Sequence, residues 1–230
     1  MKKLIRVTTC CILALGIAVI IMVTAPTAIK RDIVRETAKH VVPFRLLVRN
    51  NDRYASASHI VHNGKVFILT NRHVCDLNSR VYNKDIPGLE IPASAGDNIQ
   101  FGDYVGKVIK VDIIHDLCLV TSNRTDGIKL AENALKPLDE LILIGYPRGI
   151  GMTVRKGRVI ESGSFRAPWL DGRTVRNVQI SAMAYPGNSG SPVVNLQGEL
   201  IGVLFAGSYP SEPFMVPHYY VKAFLDRYAK

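Results

Sequence analysis

Apolar residues in this chain come in short bursts separated by turn-forming pairs. Val66-Phe67-Ile68-Leu69-Thr70 is a continuous run of strand length. After a less regular alternation from Val108, Ile113-Ile114-His115-Asp116-Leu117-Cys118-Leu119-Val120 predicts an apolar strand with one acid set inside it. Val193-Val194 and Leu200-Ile201-Gly202-Val203-Leu204 form a late strand-like pair. Asn63-Gly64, Pro87-Gly88, Asp126-Gly127, Asp171-Gly172 and Gln197-Gly198 punctuate the runs, and the whole predicts mostly β structure. The pattern changes after Pro217, where Tyr219, Val221, Ala223, Phe224, Leu225 and Tyr228 predict a helix over residues 218–228. At the other end, Thr8 to Ala25 carries no charge and follows Lys2, Lys3 and Arg6, the pattern of a membrane-spanning or signal helix.

Three polar sites interrupt the apolar pattern. Gly187-Asn188-Ser189-Gly190-Ser191-Pro192 sets a serine between two glycines in a tight turn. Such a stretch reads as an ordinary hairpin turn, or as a turn whose consecutive N–H groups face the oxyanion that a serine nucleophile creates. His73 lies just past the first buried run, beside Asn71 and Arg72. Asp116 lies in an apolar run, and a buried carboxylate costs several kcal/mol unless it is paired, which a histidine ring N–H would do. Singly, each residue is ordinary. In the order His73, Asp116, Ser189 they follow one of the known catalytic-triad orders.

On these residues the chain resembles the chymotrypsin-like serine proteases, and within them the HtrA/Deg branch. The resemblance rests on Ile68-Leu69-Thr70-Asn71-Arg72-His73-Val74, on Asp116-Leu117-Cys118-Leu119-Val120, and on Gly187 through Asn195. Leu143 to Gly149 and Thr153 to Ile160 look like the first long strand pair of the family's second barrel, and Phe214-Met215-Val216-Pro217 before a helix like its closing segment. The resemblance implies an all-β fold of two six-stranded Greek-key barrels with a short C-terminal helix. The barrels would occupy about 38–125 and 135–216, joined through a polar connection near 123–137 and preceded by the signal anchor or signal peptide of residues 1–30. It leaves no room for the PDZ module found in many HtrA/Deg proteins.

The implied roles follow residue by residue. Ser189 is the nucleophile, His73 the general base and acid, and Asp116 its orienter. The N–H groups of Gly187 and Ser189 form the oxyanion hole. Met183, Tyr185, Leu204, Phe205 and Ala206 line the specificity pocket and bring no acid to it, so small or medium aliphatic residues should precede the cut. Ser191 stands where the family most often has glycine, and Cys118 where it has alanine. Asn188 replaces the aspartate with which trypsin-type relatives capture a new N-terminus, so activity should need no N-terminal cleavage. The α/β-hydrolase elbow is excluded, because residue 191 is serine and the nucleophile comes last in the chain.

Composition changes the picture little. No cofactor is implied and no metal is signalled: His59 and His62 lack a further ligand at suitable spacing and read as an exposed strand–turn pair. The formal charge of +10 is scattered without interleaved aromatics, which argues against specific nucleic-acid binding and for solvated surface or anionic headgroups. The expected partners are polypeptide substrates and a membrane reached through the N-terminal helix, while assembly into a homo-oligomer stays open. An uncleaved anchor with the protease domain outside the cytoplasm is favoured over a cleaved signal and secretion. Cys75 and Cys118 each lie two residues past a triad member; two small buried thiols are the plainer expectation, a disulfide the other. A catalytically silent binding or scaffold module is the main alternative function.

Overall fold

The computed structural model describes residues 31–46, 53–76, 94–167, 173–208 and 212–230. The expected 8–25 helix and the Pro87-Gly88 and Asp171-Gly172 turns lie outside these residues. Among the described residues no helix is long and apolar enough to cross a membrane.

A short helix, α1 (Arg31–Ala38), leads into the first barrel. Its strands are β1 (Val41–Leu46), β2 (Arg53–His62), β3 (Lys65–Asn71), β4 (Asn98–Phe101), β5 (Tyr104–Asp112) and β6 (Leu117–Thr121), in the spatial order β1-β2-β3-β6-β5-β4. Asn63-Gly64 makes the β2–β3 hairpin with φ of 49° and 74°, the two left-handed residues that a type I′ turn requires. Phe44 of β1 meets Phe101 of β4 at 5.6 Å between ring centroids, so the ends of the sheet close through side-chain packing. Ile68, Ile99, Val108 and Val120 fill the interior.

The second barrel is closed in the order β10-β13-β12-β11-β8-β9. It comprises β8 (Glu140–Gly145), β9 (Thr153–Ala167), β10 (Arg173–Ile180), β11 (Pro192–Val194), β12 (Leu200–Ser208) and β13 (Glu212–Pro217). Leu141, Leu143, Ile180, Val193, Ile201, Leu204 and Met215 form its core. A C-terminal helix, α2 (His218–Tyr228), follows Pro217 at its N-cap and buries Val221, Phe224 and Leu225. The polar connection does more than link the barrels. It adds β7 (Ile128–Lys129) in parallel beside β2, and the Ala131 N–H donates to Leu200 O at 3.0 Å.

Two expectations are corrected. Residues 113–116 are a turn rather than strand, with Ile113 and Ile114 exposed, and β6 starts only at Leu117. The Asp112 carboxylate caps that turn by accepting the N–H groups of Ile114 (2.8 Å) and His115 (3.1 Å). Cys75 and Cys118 are joined in a disulfide, not left as two thiols: their Cα atoms lie 6.6 Å apart, within bridging range.

Candidate active site

His73 sits in a helical turn over residues 72–76, directly after β3. Asp116 sits across from it as the turn residue just before β6, which pairs with β3 through Thr70↔Cys118 and Asn71↔Leu117. Its φ is 55°, a left-handed conformation that aspartate tolerates better than most residues. That twist aims a 0%-exposed side chain at the histidine. The His73 ring Nδ1 lies 2.6 Å from Asp116 Oδ2, and the His73 backbone N–H donates to Oδ1 at 2.9 Å. A carboxylate only accepts, so Nδ1 carries the proton and Nε2 is left as the basic edge. The Asp116 carbonyl in turn accepts the Asn71 amide (3.1 Å) and the Arg72 N–H (3.0 Å). Both ends of the residue are pinned.

The preceding turn is anchored from outside. His115 Nδ1 lies 2.8 Å from Asp112 Oδ2, and its ring stacks on Tyr220 of α2 with centroids 4.1 Å apart. Burial works to raise the Asp112 carboxyl, but donors from the His115 side chain and backbone and from Ile114 outweigh it and hold the group below its ordinary value.

Ser189, half-buried, lies in the second of two consecutive turns that share Asn188. The Asn188 N–H donates to Tyr185 O and the Ser191 N–H to Asn188 O, both at 2.9 Å. The third residue of each turn is a glycine with positive φ, Gly187 at 99° and Gly190 at 81°, as type II turns require. Gly190 is wedged against the first barrel, where a Cβ would run into Ser56 O and the Thr70 side chain. Because Thr70 is three residues before His73 on β3, this contact brings the serine turn to the strand end that carries the histidine. β12 holds the other side, the Gly190 N–H donating to Leu204 O at 2.9 Å.

The expected pocket residues divide. Met183 is exposed and Tyr185 half-buried, with the Arg148 guanidinium 5.3 Å from the Tyr185 ring centroid. Leu204 belongs to the second-barrel core and Phe205 is fully buried. Ala206 lies on β12 opposite Phe214. His59 is buried rather than exposed, its Nδ1 2.8 Å from Ser122 Oγ, and His62 Nε2 lies 3.0 Å from Asp226 Oδ1. Among the described residues no group of three or more His, Cys, Asp or Glu is placed to hold a metal ion.

Sequence reasoning missed Ser56. Fully buried on β2, its hydroxyl donates to Gly187 O (2.9 Å) and accepts the Tyr146 N–H (3.0 Å). Its N–H donates to Ser189 O (2.8 Å), and its carbonyl accepts the Thr70 hydroxyl (2.8 Å). The available signal was Ala55-Ser56-Ala57-Ser58, a run of small residues inside a buried strand, which marks close approach by another segment.

Two β-barrels meeting at a histidine paired with a buried aspartate and a glycine-bracketed serine define the chymotrypsin-like class. The chain belongs to the family of the trypsin-like peptidase domain, whose sequence profile matches residues 55–203. A probable periplasmic serine protease Do/HhoA-like from Haemophilus influenzae is 34% identical over 165 residues, or 71% of this chain. The chain spans about a third (33%) of that relative's length. The Rv3671c protease of M. tuberculosis in its active form has the same fold, with a TM-score of 0.66 at 19% identity over 88% of this chain and 86% of that one. So has a serine endoprotease from Yersinia pestis, with a TM-score of 0.62 at 21% identity over 88% of this chain and 67% of that one.

Proposed function

We propose that the protein is a serine endopeptidase. Ser189 attacks a peptide carbonyl, His73 takes its proton and returns it to the leaving amine, and Asp116 fixes the imidazole tautomer and stabilises its charged form. The N–H groups of Gly187 and Ser189 receive the oxyanion, a contribution of roughly 3–4 kcal/mol per donor in such enzymes. The single observation that carries this reading is the 2.6 Å contact of His73 Nδ1 with a fully buried Asp116 carboxylate. A carboxylate kept from water and turned on one imidazole nitrogen leaves the other as a base.

Met183, Tyr185, Leu204, Phe205 and Ala206 supply the specificity surface, with the buried Leu204 and Phe205 acting through their backbones, Leu204 by its hold on Gly190. With no acid among them, the enzyme cuts after small or medium aliphatic residues in unfolded or extended polypeptides, which can add as a strand along the cleft. A peptide-library profile dominated by Arg or Lys before the cut would overturn that preference. The domain works outside the cytoplasm, held by residues 8–25 or released if they are removed. Support for this placement comes from the uncharged N-terminal run and from a relative described as periplasmic.

The test is proteolysis of unfolded casein by the full chain and by Ser189→Ala. Cleavage by the first alone supports the reading. Equal cleavage by both would refute Ser189 as the nucleophile, and none by either points to the silent binding module instead.

A further inference from the structure

Two successive carbonyls in the serine turn are held by two different segments. The Arg148 N–H donates to Pro186 O at 2.8 Å, and the Ser56 hydroxyl donates to Gly187 O at 2.9 Å. In a planar trans peptide the N–H points opposite to the C=O. Pinning Pro186 O to Arg148 therefore turns the Gly187 N–H away from the 3₁₀ turn at Pro147–Gly149. The alternative, a type I turn, rotates that peptide over; it breaks the bond to Arg148 and withdraws the N–H. Pro186 restricts its own φ to the value both turns share, and Gly187 at 99° selects type II.

The hold is built at a cost in strain. Arg148 is a non-glycine residue at φ 55°, a conformation that persists only where its surroundings enforce it. Its guanidinium over Tyr185 and its amide on Pro186 both tie it to the turn. A Cβ on Gly187 would lie 2.6 Å from Arg148 N and 2.7 Å from Tyr146 O, so the two segments are in direct backbone contact. Ser56 joins three pieces at this point: β2, the segment after β8, and the serine turn.

We propose that Ser56 is a positioning residue which, together with the Arg148 amide, presets the Tyr185–Ser189 turn so that the resting enzyme presents the Gly187 N–H and needs no activating ligand. Being fully buried, Ser56 acts through the turn and not on substrate. The inference rests on the serine-protease reading above.

The test compares the full chain with Ser56→Ala, and with Pro186→Ala as a second variant that leaves every side-chain hydrogen bond in place. A fluorophosphonate is added without any peptide, and labelling rates are normalised to the folded fraction from circular dichroism. The wild type should label at once. Ser56→Ala should lose about tenfold to a hundredfold in labelling rate and kcat, with KM for an aliphatic peptide changed by less than about threefold, while Pro186→Ala, which loosens a φ that suits either turn, should lose clearly less. Peptide-boronate inhibition should weaken in parallel. A purely structural role would lower the folded fraction and leave the normalised rate alone. A normalised rate in Ser56→Ala that is wild-type-like or no lower than that of Pro186→Ala, or a wild type that labels only after peptide is added, would overturn the proposal. A wild type that never labels would instead overturn the protease reading itself.

Discussion

Asp116→Asn puts the His73–Asp116 geometry to a quantitative test. The backbone N–H of His73 can only donate, so the position of Oδ1, 2.9 Å from it, must stay an oxygen in the variant. The amide NH2 is then forced into the place of Oδ2, 2.6 Å from His73 Nδ1. A donor there drives the ring proton onto Nε2, the nitrogen that must accept from Ser189. Asparagine tolerates the left-handed φ of 55°, and the Asp116 carbonyl keeps its bonds to Asn71 and Arg72. The fold should therefore survive while the base is disarmed. In the serine-protease template this substitution lowers kcat by about 10⁴, about 5.4 kcal/mol at 1.36 kcal/mol per decade. The assay is kcat on a quenched fluorescent peptide with an aliphatic residue before the cut, beside a thermal melt. A kcat within tenfold of wild type in a folded variant would refute the reasoning. So would a collapse in melting temperature, since the loss would then be one of structure.

Three further outcomes follow from the contacts around the site. Gly190→Ala should abolish activity and cost about 2–4 kcal/mol in denaturant unfolding, because the residue is left-handed at φ 81° and its Cβ would strike Ser56 and Thr70. Replacing Cys118 by Ala should lower stability by about 2–4 kcal/mol, since the bridge to Cys75 spans 43 residues of sequence; equal unfolding midpoints with and without the bridge would refute that. Stability should also fall in mild acid. Burial pushes the His59 imidazole down from its ordinary 6.5 to about 4, with the Arg124 charge adding to the effect, while the unfolded residue binds its proton below 6.5. The loss develops as pH drops from about 6.5 to about 4 and reaches about 3 kcal/mol, and a His59→Gln variant should show a flatter midpoint-against-pH curve.

The sequence was legible where one residue's identity is dictated by its own position. Asn63-Gly64 specifies its hairpin because only such residues accept two left-handed conformations in succession. Gly187 and Gly190 mark the serine turns for the same reason. Asp116 was picked out correctly as a buried acid in need of a donor, yet its surroundings were misread. The apolar Ile113 and Ile114 imitate strand, and the turn over them depends on Asp112 capping it and on His115 stacking on Tyr220, a helix residue far along the chain. The disulfide was undecidable from spacing because it depends on how closely the 72–76 turn lies against β6. Ser56 left only the small-residue run Ala55-Ser56-Ala57-Ser58 as a trace, because its four hydrogen bonds go to residues between 14 and 133 positions away, Thr70 the nearest and Ser189 the farthest. Tyr146, Gly187 and Ser189 reach it only where the two barrels meet, and no local pattern names them.

The most direct measurement is the site of covalent labelling. The full chain is reacted with a fluorophosphonate, digested, and mapped by mass spectrometry beside Ser189→Ala. The account predicts a single adduct on Ser189, absent from the variant and lost when His73 is replaced by Ala. An adduct elsewhere, or one that persists without His73, would contradict it.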